Sequence, residues 1–148
     1  MDDLPGEESR KAIFRALRER NGGAHKRELC RLTGKGWGTI SHHVYNLATT
    51  GQVVTEVHGR HYWVFLPELT QGQRHWLVAT RTPTRKRLLD YLRAGPPKTI
   101  NALSEEMAMS RKVIRNHLQH LQRYGAVEAT EGYPPKYGLP ERQQRTRR

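Results

Sequence analysis

The chain has 148 residues, 35% of them hydrophobic, with 26 Lys and Arg against 14 Asp and Glu and a formal net charge of +12. No apolar run approaches the roughly 18 residues that a membrane helix needs, and the acidic start Met1-Asp2-Asp3-Leu4-Pro5-Gly6-Glu7-Glu8 lacks the apolar core of a secretion signal. A cytoplasmic protein is expected, and Cys30, the single cysteine, excludes an internal disulfide or a cysteine-cluster zinc site within one chain.

The positive charge is unevenly placed. Residues 1–68 hold 10 Lys/Arg against 8 Asp/Glu, whereas residues 69–148 hold 16 against 6. Such an excess attracts polyanions by counterion release, with nucleic acid the commonest partner. An anionic membrane surface would need a helix with a spare apolar face, and the pattern offers none, so no membrane partner is expected.

In chain order, Ser9 reads as the cap of a first helix reaching Arg20, with Ala12, Ile13, Ala16 and Leu17 as its inner stripe. Asn21-Gly22-Gly23 ends it. A short helix over Lys26 to Leu32 turns inward Leu29, and Thr33-Gly34-Lys35-Gly36 leads into a third helix from Trp37 to Thr49 that buries Ile40, Val44 and Leu47. Gly51 stops that helix. Val53 to Val57 and His61 to Phe65, joined through His58-Gly59-Arg60, read as a two-stranded wing.

The stretch from Glu68, with Leu69, Trp76, Leu77 and Val78 on one side, reads as a linking helix. Thr82-Pro83 then restarts the pattern with a cap and a first-turn proline. Helices over Thr84 to Arg93, Ile100 to Met107 and Ser110 to Tyr124 follow, with Val113, Ile114, Leu118 and Leu121 inward. Val127 to Leu139 is a second wing, loosened by Pro134-Pro135. The tail from Glu141 to Arg148 has four arginines and no apolar residue, and reads as disordered.

The restart is a repeat. At an offset of 74 residues, Ile40, His43, Val44, Leu47, Gly51 and Val53 fall on Ile114, His117, Leu118, Leu121, Gly125 and Val127. The fold expected is therefore mainly α with small β wings (α+β): winged helix-turn-helix domains over 9–67 and 83–140, joined by a linking helix over 68–82 and followed by the tail 141–148.

In a helix-turn-helix the second helix of the pair enters the major groove, so its outward side chains are the candidates for contact. In the second copy these are Ser110, Arg111, Lys112, Arg115, Asn116, Gln119, Gln122 and Arg123, cationic or amide groups suited to phosphate, guanine and adenine. The first copy offers Lys35 and then Trp37, Thr39, Ser41, His42, Tyr45 and Asn46, neutral groups that hydrogen-bond or stack; it could equally serve dimerisation. His43 and its counterpart His117 lie between core and groove, where each is expected to bond a phosphate or a backbone group. Arg60, His58 and His61 in the first wing, and Tyr133 and Lys136 in the second, are placed for backbone or minor-groove contact.

Metal ligation is not expected, because His42 and His43 diverge and nothing completes a set around His117 and His120. Neither is catalysis: Gly34-Lys35-Gly36-Trp37-Gly38 lacks the length and ending of a P-loop, and no nucleophile is paired with a base. No cofactor is implied.

Residues 9–140 resemble the tandem winged-helix transcriptional regulators common in archaea, related to the ArsR and MarR types. The resemblance is carried by the segments above, including Pro83, Arg85, Leu88, Leu89, Leu92, Leu103, Ser110, His117, Leu118, Leu121 and Gly125 in the second copy. It implies double-stranded DNA binding on the nucleoid through Arg111, Lys112, Arg115 and the matching Thr39, Ser41 and His42. Glu28-Leu29-Cys30-Arg31-Leu32 begins like the metal-sensing Glu-Leu-Cys-x-Cys sequence but lacks its second cysteine, so metal sensing is not implied. A regulator, a nucleoid-associated architectural protein and a protein-interaction scaffold all remain open, as does a homodimer paired through the helix around Trp76.

Overall fold

A computed structural model describes residues 6–140. Among them are seven helices and small antiparallel sheets, and the chain divides into two compact units, Met1–Arg74 and His75–Arg148. The arginine tail lies outside the described residues.

In the first unit, α1 (Glu7–Glu19) starts two residues before Ser9, after Gly6 in the left-handed region at φ 83°. Gly6 has no side chain to cap the helix, but Glu7 and Glu8 in the first turn oppose the helix dipole. Ile13, Ala16 and Leu17 are buried against α2 (Lys26–Thr33) and α3 (Trp37–Thr49). The sequence pattern missed β1 (Gly23–His25), which pairs antiparallel with β3 (His61–Phe65); β3 also pairs with β2 (Val54–His58), giving the order β1-β3-β2. The Gly-Gly that ends α1 thus continues into a strand whose pairing comes from a segment some 40 residues away in the chain, a contact no local pattern reports.

Glu28 of α2 is buried but not alone, since Arg20 Nε donates to its Oε2 at 2.8 Å. Glu56 is bridged by His58 Nε2 and Arg74 Nε, each at 2.7 Å.

The division between units falls within α4 (Gln71–Thr80). Thr70 and Gln73 cap it reciprocally: Gln73 N donates to Thr70 Oγ1 at 3.1 Å and Thr70 N to Gln73 Oε1 at 2.8 Å. Trp76, on the apolar side of this linking helix, packs partly buried against the core of the second unit.

The second unit repeats the order with α5 (Pro83–Arg93), α6 (Ile100–Met107), α7 (Arg111–Arg123), β4 (Glu128–Ala129) and β5 (Tyr137–Gly138). Leu88, Leu89, Leu92, Leu103, Met107, Ile114, Leu118 and Leu121 form its core with Ala126, Val127 and Leu139. The second wing is short, two residues in each strand, as donor-less prolines in its loop dictate. A bridge between Lys98 and Tyr137 occupies the place that β1 holds in the first unit.

Both third helices end alike. Gln52 N donates to Leu47 O at 2.9 Å and Ala126 N to Leu121 O at 2.8 Å, around Gly51 and Gly125 at φ 76° and 73°. This is the six-residue closure that needs a left-handed residue after the helix, hence glycine at both places.

Candidate nucleic-acid interface

The candidate face is built by α6, its turn and α7. Thr99 Oγ1 accepts from Ala102 N at 3.1 Å and fixes the start of α6. Ala108 reverses the chain in the left-handed region at φ 55°. Ser110 Oγ then accepts from Val113 N at 3.2 Å, so this hydroxyl, a candidate for DNA contact, already caps α7. The last turn is closed by the Gly125 motif described above. With both ends tied and Ile114, Leu118 and Leu121 buried, the outward row of α7 has a defined direction.

That row comprises Arg111, Lys112, Arg115, Asn116, Gln119 and Arg123, all exposed. The helix contains no acidic residue, so nothing on it neutralises its four Lys/Arg side chains. Arg111 Nη1 donates to Asn101 Oδ1 of α6 at 3.4 Å, a neutral partner that leaves its charge intact. Lys136, in the β4–β5 loop, is exposed, its backbone N–H held by Thr130 Oγ1 at 3.0 Å. Tyr133 in the same loop is almost wholly exposed.

Val113 departs from its expected place. It is 40% exposed rather than inward, because it lies about 100° around the helix from Ile114, at the edge of the stripe that Ile114, Leu118 and Leu121 define. The face therefore carries one apolar side chain among its cations.

The histidines depart as well. His43 is only 8% exposed, packed where a Cβ on Gly6 would come within 2.7 Å of its Cε1. Three residues after Ile40 and four before Leu47, it falls inside the buried arc of α3 and cannot present itself to a phosphate. Its Nδ1 has no hydrogen-bond partner. Burial, then the charges of His42 and Arg10, hold its pKa below the usual histidine value. His117 is likewise held down by burial, then by Arg85 and His120. His120 follows the same logic, with burial first and Arg85 and Arg123 after it. All three are held below the ordinary histidine value, and the permanent charge of the α7 face is that of its arginines and lysine. Sequence reading passed over Arg85 as a neighbour of this group; its Nε is buried without a partner, and burial lowers its own pKa.

The corresponding face of α3 is neutral. Trp37, Thr39, His42, Tyr45 and Asn46 are exposed, while Ser41 and Lys35 are half-buried. Asn46 Nδ2 and His42 Nε2 lie 3.3 Å apart, and Lys35 N donates to Thr33 Oγ1 at 3.2 Å. His25 caps α2, its Nδ1 accepting from Glu28 N at 3.1 Å, and its ring stacks on His61 at 4.2 Å. Sequence reading missed this role, although His25 stands 74 residues before the capping Thr99. Arg60 is exposed at the β2–β3 turn, but His58 is committed to Glu56.

No group of three metal-ligating side chains occurs among the described residues, and no described helix is long and apolar enough to cross a membrane.

Residues 82–129, which contain α5, α6 and α7, match the family model of a helix-turn-helix domain. No curated protein matches the chain in sequence. Among solved structures, the mRNA-binding domain of elongation factor SelB from E. coli, in complex with SECIS RNA, is similar at 14% identity, covering 91% of this chain and 98% of that one with a TM-score of 0.36. The segment from 82 to 129 is thus similar to a helix-turn-helix domain, with α7 as the second helix of the pair.

Proposed function

We propose that the chain is a tandem winged-helix protein that binds double-stranded DNA, and that it acts as a transcriptional regulator by occupying promoter DNA. The observation that carries this reading is the outward row of α7: Arg111, Lys112, Arg115, Asn116, Gln119 and Arg123 are exposed together on a helix without an acidic residue. Arginine pairs with the guanine edge and Asn or Gln with the adenine edge in the major groove, while Lys112 and Arg123 are suited to phosphate. Lys136 in the second wing and Arg60 in the first would add backbone contacts. The reading asks for no catalytic step, cofactor or metal.

The excess of 16 Lys/Arg over 6 Asp/Glu in residues 69–148 also favours a second reading, an architectural protein coating nucleoid DNA with little sequence preference. The two differ in specificity ratio, since a regulator binds its site about 10³-fold or more tighter than bulk DNA. A genome-wide occupancy map decides between them. Discrete peaks are the result expected of a regulator, and uniform coverage is that of the architectural protein.

A further inference from the structure

The face of α3 has a chemistry that duplex reading does not use. Trp37 is 55% exposed and Tyr45 is 69% exposed. Trp37, Ser41 and Tyr45 follow one another in four-residue steps along the helix, so the two aromatic residues stand eight residues and about 12 Å apart along its axis. Indole and phenol rings bury large apolar areas when they are given a surface, so two of them left in water on one row are unfavourable unless something covers them.

A cation is fixed beside them. Lys26, the first residue of α2, holds its Nζ 4.2 Å from the ring centroid of Tyr62 and 5.5 Å from that of Trp37, and donates to Ser41 Oγ at 3.4 Å. One ammonium is thus set against rings from β3 and α3. Helix α3 carries neither an acidic nor a Lys/Arg residue, so Lys26 and the nearby Lys35 set the charge of this surface.

Bases inside a duplex offer their edges, a pattern of donors and acceptors. Trp37 has a single donor, and what it presents is chiefly a ring face. The face of a base is open to an aromatic side chain only when that base is out of its stack, as in a single strand. An acidic peptide would engage the ammonium but has no flat groups for the two rings.

We propose that the α3 face of the first unit binds unpaired nucleotides of a single strand, with bases stacked on Trp37 and Tyr45 and a phosphate drawn to Lys26. The residues involved are on α2, α3 and β3 and not on α7, so the proposal is tested apart from duplex binding.

The test titrates the full chain against a 12-nucleotide single-stranded DNA, the same sequence as RNA, and the blunt DNA duplex, at low salt by fluorescence anisotropy. Trp37→Ala is expected to weaken single-strand binding about tenfold to hundredfold, the range that truncating a stacking ring gives, and to weaken duplex binding far less, since α7 carries the duplex contacts. Trp37→Phe should retain most of the affinity, and Tyr45→Ala should weaken the single strand alone. Placing 2-aminopurine in the strand should give quenching with the parent chain that Trp37→Ala removes. The DNA and RNA arms show which sugar the site accepts. Absence of single-strand binding, equal loss of single-strand and duplex binding in Trp37→Ala, or displacement of the strand by polyglutamate as readily as by unlabelled strand would each overturn the proposal. Arg111→Ala/Lys112→Ala/Arg115→Ala separates the two sites, since it should reduce duplex binding and spare quenching at Trp37.

Discussion

Two residues 74 positions apart, Gly34 and Ala108, do the same work at the turn between the paired helices. Both are left-handed, at φ 72° and 55°. For alanine that conformation costs about 1–2 kcal/mol in the folded chain, while glycine loses about 0.4–1 kcal/mol more through the entropy of the unfolded one. Ala108→Gly should therefore stabilise by about 1 kcal/mol and Gly34→Ala destabilise by about the same. A Cβ on Gly34 would meet nothing within 4 Å, so the backbone alone decides its sign. Urea denaturation midpoints measure both; a lower midpoint for Ala108→Gly would contradict the strain argument.

The histidines predict a pH dependence. His43, His117 and His120 have folded pKa values below the ordinary 6.5. Below that pH the unfolded chain binds more protons than the folded one, so stability is complete above about 6.5 and falls as pH drops through the folded values. Thermal melting should therefore be flat from pH 7 to 8 and decline towards pH 5, and His43→Gln/His117→Gln should flatten the decline. Glu56 acts in a lower window. Burial alone would raise its pKa, but hydrogen bonds from His58 and Arg74, and then their charges, outweigh burial and bring it below 4.5, so its contribution is lost only under that pH.

At the scale of elements, the direction of α7 depends on its cap. Ser110→Ala should cost about 1 kcal/mol, whereas Ser110→Asn, which still caps, should cost little. If Ser110→Asn binds duplex as the parent chain does, the hydroxyl serves the helix and not the DNA. Regular elements were legible in the sequence. The stripes Ile40-Val44-Leu47 and Ile114-Leu118-Leu121, each followed by glycine, give their helices and stops from local rules alone. What was not legible depended on distant partners or on the edges of stripes. The strand β1 exists because β3 lies beside it, and α1 begins at Glu7 because of Gly6 and two acidic residues rather than Ser9. His43 looked available to a phosphate because its polarity drew more attention than its position in the buried arc. Val113 erred in the opposite sense, an apolar residue lying just outside that arc. In the candidate site, the arginines and amides of α7 were legible because they lie opposite the apolar stripe. The placement of Lys26 between Tyr62 and Trp37 was not, since it joins three elements.

Across the whole molecule the two copies share a pattern of core positions but differ in surface chemistry. The charge gathers in the second half of the chain, and on α7 it stands opposite a fixed core. Each Lys or Arg that neutralises a duplex phosphate adds about 0.9 to the slope of log affinity against log salt. On the proposed function, that charge is what holds duplex DNA. The most direct test is therefore the salt dependence of duplex affinity for the parent chain, for Arg111→Ala/Lys112→Ala/Arg115→Ala, and for Thr39→Ala/Ser41→Ala/His42→Ala. The slope is predicted to fall by up to about 3 in the α7 variant and by less than about 1 in the α3 variant. Equal slopes in the two variants, or a parent chain whose duplex affinity ignores salt, would contradict it.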